Sequence, residues 1–142
     1  MSPLLLDGAE AVAVALAATD PANPYGAALP WPTLSITPPE GVTARPARRA
    51  GALVLLRDGH VQAYVDKGGK HLLWWADEEA TSEAAAQLVR AIAEDSRLPQ
   101  LRIERIDGHG IDTEPVAAIT AALAEAGCYR SPRSLRLRAG DR

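Results

Sequence analysis

The chain has 142 residues, 47% of them hydrophobic, which is enough to bury the core of one domain without help from metals or disulfides. The single cysteine, Cys128, excludes an internal disulfide, and no Cys/His cluster has the spacing of a zinc site. This favours a reducing, cytoplasmic setting. No apolar run approaches the roughly 18 residues of a membrane span, so we predict a soluble chain.

The net charge of −3 conceals an uneven distribution of basic residues. The first 44 residues contain neither Lys nor Arg, whereas three arginines lie between residues 45 and 49 and five more follow from residue 130 onward. An acidic chain with basic segments of this kind can still bind a polyanion locally.

The first predicted elements are a strand and a long loop. Over residues 7–18, Val12, Val14 and Leu16 alternate with alanine, which favours a half-buried strand, although the Ala and Glu content also suits a helix. Four prolines between residues 20 and 32 then exclude a helix. We predict an ordered loop there, pinned against the core by its apolar side chains, Tyr25, Leu29 and Trp31. Residues 33–49 are predicted to be a further irregular connection.

The clearest structural signal lies in residues 51–75. Two apolar runs flank Asp58-Gly59, a dipeptide suited to the positive φ angles of a two-residue type I′ turn. A second turn is predicted at residues 67–70, after which residues 71–75 return as a third strand. The segment therefore predicts an antiparallel meander.

The next elements are a helix and a short strand. Asp77 is a suitable N-cap, with Glu78 and Glu79 in the first turn, for a helix that ends near Glu94. Its predicted buried stripe is formed by Ala84 or Ala85, Leu88, Val89 and Ile92. Residues 101–106 indicate a short strand whose alternation slips by one residue near its end, with buried Leu101, Ile103 and Ile106 and with Arg102, Glu104 and Arg105 largely outside.

A second helix and a last strand complete the chain. Thr113 is predicted as the capping hydroxyl of a helix over about 114–126, which buries Val116, Ile119, Leu123 and Ala126 and is followed by Gly127 as its C′ residue. Residues 134–138, SLRLR, then predict a strand with its leucines inward and its arginines outward.

These elements predict a single α+β domain over residues 1–142. An antiparallel, barrel-like sheet is built on the 51–75 meander, includes the terminal strand, and is covered by two helices at about 77–94 and 114–126. The parts are a strand plus Pro-rich ordered loop at 1–49, a body at 50–138 and a frayed tail at 139–142.

Three segments carry a family resemblance: residues 17–32, AATDPANPYGAALPWP, residues 45–54, RPARRAGALV, and residues 131–138, SPRSLRLR. The proline pattern of DPANPYG followed by LPWP is too constrained to recur often by chance. Over about residues 10–138 the chain resembles the C-terminal region of Lhr, the large helicase-related DNA helicases of bacteria.

The resemblance implies a role that the spacing of residues does not show. Lhr proteins couple an ATP-driven DNA translocase to a C-terminal extension of winged-helix modules and a β-barrel-like module, and this chain resembles only the last piece. It departs from the family because it has no GxxxxGK[ST] loop and no Asp-Glu-x-His or Asp-Glu-x-Asp motif, so we predict no ATPase or helicase activity in this chain alone. A fragment, a split gene and a truncated remnant of a longer protein all fit this pattern.

Arginines are the leading site candidates. A guanidinium can bridge two phosphate oxygens, and a basic strand face suits a nucleic-acid backbone. The predicted nucleic-acid-binding residues are Arg45, Arg48, Arg49, Arg133, Arg136 and Arg138. The alternative is a solvated strand edge whose charges prevent aggregation.

Aromatic and acidic residues give weaker candidates. Trp74 and Trp75 are adjacent in a strand and must point to opposite faces, so one is predicted in the core and the other partly exposed. Together with Trp31 they are candidates for base stacking or for an interface. Among the acids, Asp58, Asp77, Asp107 and Asp112 are accounted for by caps and turns. Asp20 and Asp141 are the weak catalytic candidates that remain.

Three functions stay open at this point. The first is a non-motor accessory module that engages DNA or supports assembly in DNA repair, as the family implies. The second is a uracil-DNA glycosylase-like module with an acid in a base-sized pocket, an activity that the family links to the C-terminal region of some members. The third is an oligomerisation domain. Predicted partners are DNA and either a helicase-core or winged-helix polypeptide or a second copy, with no membrane, no metal and no cofactor.

Overall fold

The computed structural model describes residues 13–94 and 101–137, which form nine strands and two α-helices. In chain order the strands are β1 (Ala13–Ala17), β2 (Leu53–Arg57), β3 (His60–Val65), β4 (His71–Trp74), β5 (Leu101–Ile103), β6 (Arg105–Ile106), β7 (His109–Gly110), β8 (Tyr129–Ser131) and β9 (Ser134–Leu137). The helices are α1 (Thr81–Glu94) and α2 (Ala117–Ala126), and a 3₁₀ turn at Glu114–Val116 leads into α2. The α+β class predicted from the sequence is confirmed.

A six-stranded sheet has the strand order β1-β2-β3-β4-β6-β7. The 51–75 meander supplies its central strands, and all neighbours are antiparallel except β4 and β6, which pair in parallel. Within the described ranges β1 and β7 lie at opposite ends of the sheet and do not pair, so the predicted barrel-like closure is wrong. Because β6 and β7 contribute only two residues each, that side of the sheet is too short to curl round to β1.

Two tight turns of the same kind organise this sheet. Asp58 and Gly59 connect β2 to β3 with φ angles of 54° and 82°, which is the type I′ geometry that the sequence predicts. Asp107 and Gly108 connect β6 to β7 with φ angles of 53° and 84°. The second turn differs in its surroundings, because a Cβ added to Gly108 would lie 3.1 Å from Val42.

Gly59→Ala is expected to lower the free energy of unfolding by about 1 kcal/mol, since alanine adopts a φ of this sign reluctantly although no atom lies within 4 Å of the added Cβ. Urea denaturation monitored by tryptophan fluorescence measures the change. Gly108→Ala is the comparison, and it is expected to cost more because the Cβ also meets Pro38 and Pro39 at 3.2 Å. Equal losses for the two variants would contradict the role of that contact.

The terminal strand lies in a different sheet from the meander. β9 pairs with β5 on one side and β8 on the other, giving a three-stranded sheet in the order β5-β9-β8. The prediction that it joins the main sheet is therefore wrong. The physical reason is visible in residues 101–106, where the slip in alternation falls at Glu104, the point at which the chain leaves the small sheet and enters the main one as β6.

Both helices begin later than predicted. The Asp77 carboxylate accepts a hydrogen bond from the Ala80 N–H at 2.8 Å in a separate turn, and α1 begins at Thr81, so Glu78 and Glu79 precede the helix. The predicted cap at Thr113 is wrong, because its hydroxyl donates to the Gly110 carbonyl at 2.7 Å and caps no helical N–H. Gly127, with a φ of 132°, follows α2 as predicted. The predicted stripes are buried, except that Ala126 is only partly buried.

Two hydrophobic clusters lie on opposite faces of the main sheet. Alternate residues of β2 divide between them, since Leu53 and Leu55 face the helices and the small sheet whereas Val54 and Leu56 face the Pro-rich loop. Burial on both faces explains why this strand is a continuous apolar run. The cluster on the helix side contains the buried stripes of both helices.

The Pro-rich loop at residues 20–32 packs on the second cluster, to which it contributes Tyr25 and Trp31. Asn23 is buried, donates from its side chain to the Ala18 carbonyl at 2.8 Å and accepts the Tyr25 N–H at 3.1 Å. The Tyr25 hydroxyl reaches the turn between β2 and β3, where it accepts the Val61 N–H at 3.3 Å. Leu29 is not an anchor, because 44% of it is exposed.

Candidate anion-binding cleft

An irregular segment, residues 37–49, crosses one face of the main sheet, and we call it the strap. At its start, the Thr37 carbonyl lies 2.8 Å from the Nε2 atom of His109. Pro38, Pro39 and Val42 then pack against the Asp107-Gly108 turn, where a Cβ on Gly108 would lie 3.1 to 3.2 Å from them, closer than ordinary van der Waals contact. The strap is therefore held at one end by the turn between β6 and β7.

Arg48 holds the other end of the strap. Its guanidinium donates to three backbone carbonyls of the Pro-rich loop, those of Asn23 (2.6 Å), Tyr25 (3.2 Å) and Asp20 (3.3 Å), and to that of Thr19 just before the loop (3.4 Å). Gly26, with a φ of 81°, allows the Arg48 stem to approach, because a Cβ there would lie 2.9 Å from Cγ of the arginine. The guanidinium is thus used inside the fold and leaves little capacity for a phosphate.

Between the strap and the sheet lies a cleft of about 450 Å³. Arg45 and Arg49 line it from the strap, and Arg105 lines it from β6. All three arginines are exposed. None forms a salt bridge with an acidic residue of the described ranges, although Nη1 of Arg105 donates to the Gly108 carbonyl at 3.1 Å. Residues separated by up to 60 positions in the sequence thus place three arginines without a salt-bridge partner in the described ranges around one cleft.

The floor of the cleft combines apolar and hydrogen-bonding groups. Tyr64, Leu72 and Leu73 line it and are buried. Burial raises the pKa of Tyr64 above its usual range, against a hydrogen bond with the Ala47 backbone and the nearby Arg49 cation, which lower that pKa. The phenol therefore keeps its proton at neutral pH.

A His–Asp pair completes the lining. The Asp66 carboxylate contacts Nδ1 of His71 at 3.1 Å and accepts the backbone N–H groups of Lys70 (3.2 Å) and His71 (3.0 Å). The acid is thereby committed to the turn between β3 and β4. In the described part of the chain Nε2 of His71 has no hydrogen-bond partner, and 57% of the side chain is exposed.

Arg133 lies next to a neighbouring cleft of about 460 Å³. Arg105 lines both clefts, but the second also contains Glu104 and Asp112 and so has mixed charge. Asp112 is additionally paired with Arg130. Arg45 and Arg49 therefore line one cleft and Arg133 lines the adjacent one, and Arg105 lies between the two clefts.

The other predicted site residues are not brought into the cleft. Arg136 is partly buried, and its Nε donates to the hydroxyls of Ser131 and Ser134, both at 3.2 Å. The Asp20 carboxylate accepts the Ala22 N–H at 2.8 Å in a local turn. Arg138 and Asp141 lie outside the described residues.

The tryptophans divide as the sequence predicts. Trp74 is 2% exposed and donates from Nε1 to the Thr81 hydroxyl at 3.2 Å, so it has no free surface for a base. Trp75 is partly exposed and donates to the Pro32 carbonyl at 3.1 Å. Trp31 stacks on Trp75 with ring centroids 6.2 Å apart and on Tyr25 at 5.8 Å. Trp31 and Trp75 thus hold the Pro-rich loop on the sheet.

Sequence reasoning missed two residues of this region. The sequence predicts Arg105 on the outside of a strand and gives it no role. Because it lies far from Arg45 and Arg49 in the sequence, no sequence pattern indicates that the three arginines line one cleft. Asp107 was accounted for as a turn residue, yet it is fully buried. Its Oδ1 accepts the Trp74 N–H at 2.9 Å, and its Oδ2 has no hydrogen-bond partner among the described residues. Burial raises its pKa to about 6, although the Trp74 N–H and His109 oppose this.

The described residues contain no group of three or more His, Cys, Asp or Glu side chains placed to hold a metal ion. None of the helices in residues 13–94 and 101–137 is long and apolar enough to cross a membrane.

The fold and the cleft define a small α+β module with a basic opening and without a nucleotide-triphosphate loop motif in its sequence. No family model matches the chain. It is 44% identical over 130 residues to the Lhr helicase/probable uracil glycosylase of Mycolicibacterium smegmatis, covering 89% of this chain and 8% of that protein. It is also 36% identical over 124 residues to the Lhr helicase/uracil glycosylase of Escherichia coli, covering 86% of this chain and 7% of that protein.

The chain belongs to the Lhr helicase family, and it corresponds to a C-terminal segment of these proteins. The resemblance predicted from the sequence is confirmed. The chain spans less than a tenth of the length of the curated relatives that it matches.

Proposed function

We propose that this chain is a non-motor accessory module of Lhr-type helicases that engages the phosphate backbone of DNA. One observation carries the proposal: Arg45, Arg49 and Arg105, contributed by the strap and by β6, line one cleft without a carboxylate partner in the described ranges. Exposed arginines that are not held in a salt bridge bind phosphate well, since each guanidinium offers paired donors to two oxygens.

Not all of the arginines that the sequence predicts to bind nucleic acid belong to the proposed DNA-binding surface. Arg48 is excluded from the proposed surface because it holds the Pro-rich loop. Arg133 is retained as a flanking contact because its cleft adjoins the first at Arg105. Arg136 contributes less, since part of its guanidinium is already bonded to two serines.

The test is the affinity for a single-stranded oligonucleotide, measured by fluorescence anisotropy over a range of salt concentrations. Three arginine–phosphate contacts predict a slope of log K against log salt of about −2, at roughly 0.7 per phosphate for single strands. The double variant Arg45→Ala/Arg49→Ala is expected to weaken binding on the order of tenfold and to flatten this slope.

The matched control is Arg90→Ala/Arg102→Ala, which removes the same net charge from exposed positions on α1 and β5. Neither residue lines the cleft. Equal losses in the two double variants would show that net charge alone governs binding. Binding that does not respond to salt would reject a phosphate-backbone mechanism.

The names of both relatives favour a second candidate function, removal of uracil from DNA. Within the described ranges Asp66 is the carboxylate that lines the cleft formed by Arg45, Arg49 and Arg105, whereas Asp20 is engaged in a turn. The test is formation of abasic sites in uracil-containing DNA by the intact chain and by Asp20→Asn, Asp66→Asn and Asp141→Asn. Activity that survives all three substitutions would exclude these acids as catalysts.

A further inference from the structure

We propose that the arginine-lined cleft recognises a phosphomonoester, the terminal phosphate of a DNA strand, in preference to an internal phosphodiester. This inference rests on the proposed function, because it assigns a preferred group to the same cleft. The two sources of such a group are a phosphorylated strand end and a free mononucleotide.

The charge of the cleft exceeds the charge of one phosphodiester. An internal phosphodiester carries a single negative charge, whereas a phosphomonoester carries about 1.5 to 2 at pH 7 and presents three acceptor oxygens. Arg45, Arg49 and Arg105 supply three cations. The one acid of the lining, Asp66, is held by His71 and by two backbone N–H groups, so it offsets this charge only in part.

A neutral donor of the cleft suits the additional oxygen. The Tyr64 phenol keeps its proton at neutral pH and lies at the buried floor. A third phosphate oxygen would therefore find a donor beyond the three guanidinium groups.

The size and walls of the cleft favour a chain end. Its volume of about 450 Å³ is in the range of pockets that hold small ligands, and the strap is held at Thr37 and Arg48, so it walls the cleft along one side. The Gly108 turn and Arg105 stand on the sheet side of the lining. A pocket of this size, with the strap on one side and the sheet on the other, suits the terminal group of a strand.

The experiment compares oligonucleotides of one sequence that carry a phosphate or a hydroxyl at the 5′ end, and a second pair that differs in the same way at the 3′ end. The label is placed at the opposite end in each case. For the intact chain we expect one phosphorylated end to bind about tenfold more tightly than its hydroxyl counterpart. The preference should disappear in Arg45→Ala/Arg49→Ala and persist in Arg90→Ala/Arg102→Ala.

Competition with thymidine monophosphate and with thymidine distinguishes the two sources. Displacement of DNA by the monophosphate but not by the nucleoside supports phosphomonoester recognition and identifies a free nucleotide as sufficient. An end preference without such competition supports recognition of the strand end itself. Equal affinity for phosphate and hydroxyl ends overturns the inference. If Arg45→Ala/Arg49→Ala still weakens binding to both oligonucleotides, the proposed function stands. Absence of any arginine-dependent binding overturns the proposed function as well.

Discussion

Asp107→Asn is expected to raise the free energy of unfolding by up to about 3 kcal/mol at about pH 7.5. The native carboxyl has its pKa raised from 3.8 to about 6, chiefly because burial removes it from water, and this difference is equivalent to about 3 kcal/mol. An asparagine stays neutral, keeps an acceptor for the Trp74 N–H and tolerates the φ of 53° at this turn.

The pH dependence of this effect has a definite sign. Because the pKa of Asp107 is higher in the folded than in the unfolded state, its favourable contribution is complete below about pH 3.8 and is lost as the pH rises through about 6. The advantage of the variant should therefore vanish below about pH 4 and reach its full size above about pH 6. Urea denaturation at a series of pH values measures it.

Asp58→Asn is the matched control for this series. Asp58 occupies the equivalent position of the other type I′ turn, with a φ of 54°, but its side chain is exposed. We expect no comparable gain in stability from this change. A pH-independent difference between Asp107→Asn and the native chain would contradict the assignment of the buried carboxyl as its source.

Arg48→Ala is expected to lower the free energy of unfolding by about 2 to 4 kcal/mol. The change removes a guanidinium that donates to four carbonyls and leaves those carbonyls without this donor, and hydrogen bonds to charged groups are the more costly ones to lose. Arg48→Lys should recover only part of the loss, because a single ammonium cannot reach four carbonyls arranged around a planar fork. Thermal or urea unfolding gives the values.

Arg49→Ala is the control, because Arg49 is next to Arg48 in the sequence but is exposed and lines the cleft. It should leave stability within about 0.5 kcal/mol of the native value while weakening DNA binding. The opposite pattern, a stable Arg48→Ala and an unstable Arg49→Ala, would reverse the roles that the structure gives to these two arginines.

The local features were largely predictable because their signals are local. Asp58-Gly59 requires two consecutive positive φ angles, which few dipeptides adopt, and the meander follows from that turn and its flanking apolar runs. The helical stripe around Leu88 follows from its spacing in the same way. The helix starts were predicted too early, since Asp77 and Thr113 are engaged by turns that compete with helix capping.

By itself the sequence determined the family, the meander, the two helices and the division of Trp74 and Trp75 between core and surface. Only the tertiary structure decided that β9 joins the small sheet, that Arg48 faces inward while Arg49 lines the cleft, and that Arg105 completes that cleft. It also decided the desolvation of Asp107. The physical reason is that turn geometry and periodicity act between neighbours in the chain, whereas strand partners, burial and converging charge depend on residues many positions apart.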